Sequence, residues 1–294
     1  MITHTEQINC DLVSIRLDVY SATPVEKILE DTTFLNYRLA GVTRQTFSEL
    51  PAADFIWYKD EKEKTISYED EAVKLTGQWF EGEIQRILVS LIAKKLFQKG
   101  RYLFHSSAVN YKQKNILFIS GESNRGKSMS QIATCKKGAT IISTETTILD
   151  WDGNVIMGSK KVYLRERAKG TERVDKPSQD EGVVKFFGKD PEYKLYEGNA
   201  NIDLIVVPDM DGNYSTFSDF MSDYEKEYQT FHCLCDYLGM HILLSSGLPM
   251  PLFDTQELRK KRANFIANFA KNRPYIYIRC ANPEIFIDEL EKYI

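Results

Sequence analysis

The chain has 294 residues, of which 43% are hydrophobic and 12% aromatic, and its formal net charge is −4. This length and apolar content are typical of one large domain with a smaller one attached, and they exclude a disordered chain. A general nucleic-acid binder needs a concentrated surface of lysine and arginine, which this charge balance lacks. We therefore expect no nucleic-acid partner.

Cysteine use and hydropathy indicate a soluble, cytoplasmic protein without a membrane partner. The cysteines are odd in number and widely spread: Cys10, Cys135, Cys233, Cys235 and Cys280. No signal peptide is recognisable before them, so we expect free thiols in a reducing compartment rather than a disulfide framework. A bilayer span needs roughly 18 to 20 apolar residues, and the most apolar run, Ile87 to Phe97, is interrupted by Ser90, Lys94 and Lys95.

The first hundred residues predict a small β-rich module. Apolar residues alternate with polar ones from Val13 to Val19, which is the period of a half-buried strand. Short mixed runs follow to about residue 70. Apolar residues from Phe80 to Leu96 then recur every three or four positions, which predicts a helix ending near Gly100. We assign 1–99 to this module and its bridging helix, and 100–294 to a second domain.

The second domain opens with a predicted β-hairpin that leads into a glycine-rich loop. Leu103 to Tyr111 and Ile116 to Ser120 are apolar runs joined by a polar turn. The next eight residues match G-x-x-x-x-G-K-S, and they are Gly121, Glu122, Ser123, Asn124, Arg125, Gly126, Lys127 and Ser128, followed by Met129. This is the pattern of a P-loop (Walker A motif) between a strand and a helix.

The residue types of this loop suit a nucleotide polyphosphate. Glycines let successive backbone N–H groups point at the phosphates, and the helix N-terminus behind them favours negative charge. Lys127 is expected to reach the β- and γ-phosphates, and Ser128 to provide a hydroxyl ligand for Mg²⁺. We therefore predict an ATP·Mg²⁺ site over residues 121–129. The alternative is that Gly121 and Gly126 are only turn glycines.

Beyond the loop the pattern predicts further alternation of helices and strands. In chain order we expect a short helix Lys127 to Lys136, a strand Thr140 to Leu149, a long polar loop Arg165 to Gly182, a strand Ile202 to Val207, helices near Phe217 to Tyr237 and Gln256 to Lys271, a strand Tyr275 to Arg279 and a last helix from Pro283. The P-loop strand is expected to run antiparallel to its predecessor, unlike the parallel strand of a Rossmann-like protein.

Four segments together resemble the core of HPr kinase-like proteins, which share the phosphoenolpyruvate carboxykinase-type P-loop fold. They are Phe104 to Val109, Ile116 to Ser120, Gly121 to Ser128 and Gly138 to Ser143. The resemblance is clear over residues 100–165. It implies a mixed α/β fold with a largely antiparallel-fed P-loop sheet, and an ATP-dependent kinase that phosphorylates a serine or similar hydroxyl of a peptide or small protein.

The chain departs from that family at two adjacent residues. Where the family carries two aspartates, this sequence has Thr144 and Glu145. The resemblance implies that Glu145 helps to take the proton of the attacking hydroxyl or to hold Mg²⁺ together with Ser128. The alternative for Glu145 is a surface residue at a strand end. If the site lost its function with the acidic pair, the protein would be a nucleotide-binding regulatory or scaffold protein.

Other candidate residues keep two interpretations. His105 matches the family's histidine near the transferred phosphate and is a candidate for relaying a proton, or it is a hydrogen-bonded strand residue. Asp209 follows an apolar run and resembles a Walker B carboxylate, although turn chemistry over Asp209 to Asn213 is favoured. Arg165 and Arg167 are candidates for a phosphate clamp or for a solvated strand end.

Two conspicuous clusters predict no site. The Cys233-x-Cys235 pair lacks the second pair that tetrahedral zinc would need, so we expect helical core packing. The basic run Arg259 to Arg262 is expected to form a solvated helix face. The sequence leaves self-association and the identity of the acceptor open.

Overall fold

A computed structural model describes residues 2–121, 125–164, 183–186, 193–238 and 243–294, with the backbone alone for residues 2, 161–164 and 183–186. The chain divides into two compact units. The first contains Met1–Gly100 and Cys235–Arg259, and the second contains Arg101–Leu234 and Lys260–Ile294. One division thus falls next to the boundary expected at 99/100, whereas residues 235–259 group with the first unit rather than the second.

Eighteen strands lie in the described ranges. They are β1 (Ile2–Cys10), β2 (Val13–Ser21), β3 (Thr43–Gln45), β4 (Phe55–Tyr58), β5 (Thr65–Glu69), β6 (Ala72–Thr76), β7 (Tyr102–Tyr111), β8 (Lys114–Ile119), β9 (Thr140–Ser143), β10 (Thr146–Leu149), β11 (Val155–Gly158), β12 (Lys161–Leu164), β13 (Val183–Phe186), β14 (Leu204–Met210), β15 (Phe217–Phe220), β16 (Leu243–Ser245), β17 (Leu248–Pro249) and β18 (Tyr275–Cys280). The α-helices described are α1 (Thr33–Arg38), α2 (Glu81–Gln98), α3 (Lys127–Lys136), α4 (Asp223–Cys235), α5 (Gln256–Lys271) and α6 (Pro283–Leu290).

The first unit is built on a six-stranded mixed sheet in the order β3-β1-β2-β4-β6-β5. The predicted alternation in β2 is confirmed, because Val13, Ile15 and Leu17 are buried while the residues between them are half-buried. Helix α2 matches its prediction and begins with a carboxylate cap, in which Glu83 accepts the backbone N–H of Phe80 at 2.9 Å. This unit therefore has a core of its own.

The second unit is built on an eight-stranded mixed sheet, so the expectation of a mixed α/β chain is confirmed at that level. Its order is β11-β10-β7-β8-β14-β18-β15, with β9 pairing beside β10 on β7. The predicted hairpin is present, because β7 and β8 pair antiparallel. Strands β8, β14 and β18 run parallel to one another. Their carboxyl ends therefore meet at one edge, where ligands of α/β sheets commonly bind.

Helices cover both faces of this sheet. On one face, residues of α3 and α6 share a hydrophobic cluster with Val109, Phe118 and Ile276. On the other face, Phe265 of α5 stacks on Tyr102 with ring centroids 3.5 Å apart. Alternate residues of a strand point to opposite faces, so each strand residue can be assigned to the α3 face or to the α5 face.

Two predicted elements differ from the structure. The strand expected from Thr140 to Leu149 is divided into β9 and β10 by a break at Thr144 and Glu145. The helix expected from Phe217 begins only at Asp223, because Phe217–Phe220 pairs with β18 as an edge strand. Both differences arise from pairing with distant segments, which local periodicity does not report.

Three further expectations about helices can be compared with the structure. Within the ranges described, no helix is long and apolar enough to cross a bilayer. Cys233 and Cys235 are buried in α4, as the core-packing interpretation predicts. Arg262 of the basic run is almost fully buried, so the expected solvated face does not include it.

Candidate active site around the glycine-rich loop

Two glycines allow the loop between β8 and α3 to pack closely against neighbouring side chains. Gly126 has φ of +105°, and a Cβ atom there would lie 2.9 Å from Cγ of Met210. A Cβ atom on Gly121 would lie 2.6 Å from Cβ of His232. Only glycine fits both places without displacing a neighbour. The predicted ligand-binding residues Glu122, Ser123 and Asn124 lie outside the described residues.

The start of α3 is tied to strands β7 and β9. Oγ of Ser107 donates to the carbonyl of Lys127 at 3.3 Å. The buried side chain of Gln131 donates to the carbonyls of Ser143 at 2.6 Å and Ala108 at 3.3 Å. The predicted short helix is confirmed, and its N-terminus, where a helix carries partial positive charge, lies at the carboxyl edge of the sheet.

The predicted phosphate ligands occupy this first turn. Nζ of Lys127 lies 3.5 Å from the carbonyl oxygen of Ser120, which folds the lysine back over the loop. Lys127 and Ser128 are half-buried, whereas Met129 is exposed.

His105 and Glu145 form a close pair beside the loop. Nε2 of His105 lies 3.1 Å from Oε1 of Glu145, and the two side chains are 18% and 13% exposed. His105 is two residues before Ser107 on β7, so it lies on the α3 face of the sheet. The register places Ser106 opposite Ile119, which puts His105 level with Ser120 at the base of the loop. The pair is thus brought to the edge from which α3 starts.

The break between β9 and β10 holds the backbone of Glu145 in place. Oγ of the buried Ser159 accepts the N–H groups of Glu145 and Thr146, both at 2.9 Å. Thr144 is also buried and donates its hydroxyl to the carbonyl of Ser159 at 3.0 Å. Thr144, which stands where the family has an aspartate, therefore has a structural role, and Glu145 is not a solvated surface residue.

Asp209 is a buried ion-pair centre, and the favoured turn interpretation of this residue is wrong. It lies within β14, and its carboxylate contacts Arg125 at 3.1 Å, Arg279 at 3.0 Å and the hydroxyl of Tyr277 at 2.5 Å. The turn begins two residues later, where Asp211 accepts the N–H of Asn213. Burial alone would raise the pKa of Asp209, but hydrogen bonds from its three partners outweigh burial and lower that pKa.

Asp209 faces away from the helix that follows the loop. Leu204, Val206 and Met210 of β14 pack in the cluster with α3 and α6, so Asp209 projects from the opposite face. Arg125, a residue of the predicted ATP·Mg²⁺ site, has its side chain turned toward Asp209. Its backbone carbonyl also accepts the N–H of Met210 at 3.1 Å. The carboxylate of Asp209 therefore stabilises the loop through Arg125 and lies on the face of the sheet opposite α3.

A cavity of about 200 Å³ opens on that second face next to the loop. Its walls include the strand ends that carry Pro208 and Arg279 and the α4 residues Tyr228 and His232. The ring centroids of Tyr228 and His232 lie 4.4 Å apart. Oε1 of Gln229 accepts the N–H of Gly121 at 3.1 Å. Sequence reasoning missed these α4 residues. The spacing of Tyr224, Tyr228 and His232 marks one helix face, but no local signal connects that face to the loop.

Arg165 and Arg167 lie outside the described residues, together with the polar loop expected from 165 to 182. No protein-family model matches the chain, and no curated protein matches it significantly. The site is therefore interpreted from its own geometry.

Proposed function

We propose that this chain is an ATP-dependent kinase that uses Mg²⁺ and transfers the γ-phosphoryl group to a serine- or threonine-type hydroxyl of a peptide or small protein. The observation that carries the proposal is the His105–Glu145 pair, 3.1 Å apart, fixed beside the start of α3. The resemblance of residues 100–165 to HPr kinase-like proteins, a family with the phosphoenolpyruvate carboxykinase-type P-loop fold, supports the same assignment.

The residues present fit a nucleotide with Mg²⁺. A helix N-terminus after a glycine-rich turn suits a polyphosphate, and Lys127 adds a positive charge there. Mg²⁺ bound with a nucleotide usually takes one or two protein oxygens, and Ser128 and Glu145 would supply them. Among the described residues no group of three or more His, Cys, Asp or Glu side chains could hold a metal by itself. When bound, the ion neutralises charge on the transferred group.

His105, Glu145 and Lys127 would have different roles in the proposed phosphoryl transfer. The imidazole of His105 would accept the proton of the hydroxyl as its oxygen attacks the terminal phosphorus and the bond to the bridging oxygen breaks. Glu145 would stabilise the resulting imidazolium, and Lys127 the charge on the phosphates. Ser159 keeps Glu145 in position through the two backbone N–H groups that it accepts. Positioning and charge neutralisation are the main contributions in phosphoryl transfer.

A cytoplasmic setting is part of the proposal. All five cysteines are buried and lie outside disulfides in the described part of the chain, which suits a protein of a reducing compartment. A nucleotide and a peptide or small-protein acceptor are the partners that the proposed reaction requires.

One observation favours a second candidate, a nucleotide-binding regulatory or scaffold protein. Thr144 is buried and bonded to Ser159, so the second carboxylate of the family pair has no counterpart at its position. Such a protein would bind ATP·Mg²⁺ at the same loop and transfer nothing.

Label transfer from γ-labelled ATP separates the two candidates. The acceptors are degenerate peptides with a central serine, threonine or alanine. We expect label on the serine or threonine set only, and a decrease on the order of 10²–10³ in Lys127→Ala, which lacks one preorganised charge donor. Lys136→Ala, an exposed lysine in the last turn of the same helix, is the matched control and should keep wild-type activity.

Two results would contradict the kinase. If ATP·Mg²⁺ binds but no label reaches any peptide or water, the binding-protein candidate replaces it. If wild-type protein binds neither ATP nor inorganic tripolyphosphate, the phosphate site itself is wrong.

A further inference from the structure

We infer that the cavity of about 200 Å³ between the loop and α4 binds the purine base of the nucleotide. This inference rests on the proposed function, because it assigns the nucleoside end of the same ligand. The described residues that carry it are Tyr228, Gln229 and His232 of α4, Arg125 of the loop, and Tyr277 and Arg279 of β18.

The position of the cavity is the first argument. His105 and Glu145 lie on the α3 face, on the side of the loop strand where β7 and β10 pair. The cavity lies on the opposite face, at the carboxyl ends of β14 and β18. A polyphosphate whose terminal phosphate lies near His105 and Glu145 directs its other end across the loop. The nucleoside then reaches the cavity without leaving the edge of the sheet.

The lining suits a flat aromatic ligand. The ring of Tyr228 is 48% exposed and packs against the His232 ring, so one ring face borders the cavity mouth. The guanidinium of Arg279 lies 4.9 Å from the centre of the Tyr214 ring and 5.5 Å from that of Tyr277, which makes it a second planar wall. Bases stack on aromatic rings and on arginine planes. Gln229 and Tyr277 also line the cavity and bring an amide and a hydroxyl group to it.

Charge and size restrict the ligand further. Arg125 and Arg279 both line the cavity and contact the carboxylate of Asp209, and each guanidinium group carries a positive charge to this place. That charge is complementary to the phosphate next to a nucleoside. Cavities that enclose whole drug-sized ligands measure roughly 300–1,000 Å³. About 200 Å³ is therefore enough for one ring system, but not for several side chains of a peptide.

The contact between α4 and the loop explains why base and phosphate binding would act together. Cβ of His232 lies against Gly121, and Gln229 accepts the Gly121 N–H. A base seated on Tyr228 and His232 is thus bound by the same helix that holds the first residue of the loop.

The test compares ATP with inorganic tripolyphosphate, which has the phosphates but no nucleoside. Binding of both to the full chain is measured calorimetrically with Mg²⁺ for wild type, Tyr228→Ala, Tyr228→Phe and Tyr224→Ala. We expect Tyr228→Ala to weaken ATP about tenfold or more through lost stacking and to leave tripolyphosphate unchanged. Tyr228→Phe keeps the ring and should bind ATP like wild type. Tyr224→Ala removes a 75% exposed ring that does not line the cavity but stacks on Tyr228 with ring centroids 6.2 Å apart, so it is the control for losing a neighbouring ring while Tyr228 stays.

Each other outcome overturns the inference in a distinguishable way. Unchanged ATP affinity in Tyr228→Ala shows that the base binds elsewhere, while the phosphate site stands. An equal loss for ATP and tripolyphosphate shows that α4 acts on the loop and not on a base. Wild-type affinity for CTP equal to that for ATP excludes a purine site. Absence of binding by both probes to wild type overturns the proposed function as well.

Discussion

Two carboxylates flank the glycine-rich loop on opposite faces of the sheet, and they differ in what surrounds them. Asp209 is fully buried and is bonded to two arginines and a tyrosine. Glu145 is 13% exposed and is paired with the imidazole of His105. A carboxylate bonded to two arginines stabilises structure, whereas one that pairs with an imidazole fits the proton transfer that we propose. Proximity to the glycine-rich loop therefore does not by itself distinguish the two roles.

Glu145→Gln gives the largest expected effect. It keeps the shape of the side chain but removes the charge that supports His105, so phosphoryl transfer should fall about 10²- to 10⁴-fold. The melting temperature should change little, because this side chain is not in the buried ion-pair cluster. Steady-state kinetics and thermal unfolding check both statements. Turnover close to wild type would remove Glu145 from the reaction.

Asp209→Asn is the same chemical change on the other face, and its main effect should be on stability. The variant leaves Arg125 and Arg279 without their shared anion. Because both arginines are about one third exposed, we expect a loss of about 2–3 kcal/mol, less than for a fully buried pair. Urea unfolding measures the loss. A change below about 0.5 kcal/mol, as for ordinary surface substitutions, would contradict the structural role of Asp209.

Ser159→Ala tests the support behind Glu145. It leaves two buried N–H groups without their acceptor, which should cost about 1–3 kcal/mol in free energy of unfolding. Turnover should also fall while ATP affinity is retained, because the carboxylate loses its position and the loop does not. Thr144→Val removes only the neighbouring hydroxyl and is the control, with a smaller expected cost. Unaltered kinetics in Ser159→Ala would show that Glu145 is positioned by other contacts.

The pH dependence of stability gives the smallest effect. The pKa of Asp209 is lowered in the folded protein, so its stabilising contribution is complete above the unfolded value of about 3.9 and is lost as pH falls below it. The difference in unfolding free energy between wild type and Asp209→Asn should therefore shrink between pH 6 and pH 3. Urea titrations at several pH values follow it. A difference that stays constant with pH would argue against a charged Asp209.

Local signals predicted most of the elements around the site. The hairpin of β7 and β8, helix α3 and strand β18 appear close to the predicted positions, because each depends on nearby periodicity, a turn or a glycine stop. The break at Thr144 and Glu145 was not predicted. It depends on the hydroxyl of Ser159, fourteen residues beyond Glu145. The β-branched apolar run from Thr140 to Leu149 gives no local signal of that contact.

The two carboxylates show the same limit. A strand that ends in an aspartate and a strand followed by a turn look alike in sequence, so Asp209 was assigned to the turn. Its partners Tyr277 and Arg279 are 68 and 70 residues away. They reach it only because β14 and β18 are adjacent and in register at Asp209 and Arg279.

The sequence by itself determined the loop, the helix that follows it and the residue types available for a phosphate site, because spacing and glycine placement are local properties of the chain. Only the tertiary structure decided that Glu145 meets His105 on the α3 face, that Asp209 holds Arg125 on the other, and that α4 forms a cavity against Gly121. These outcomes depend on strand register and on which face each residue takes, and both are set by pairing between segments far apart in the chain.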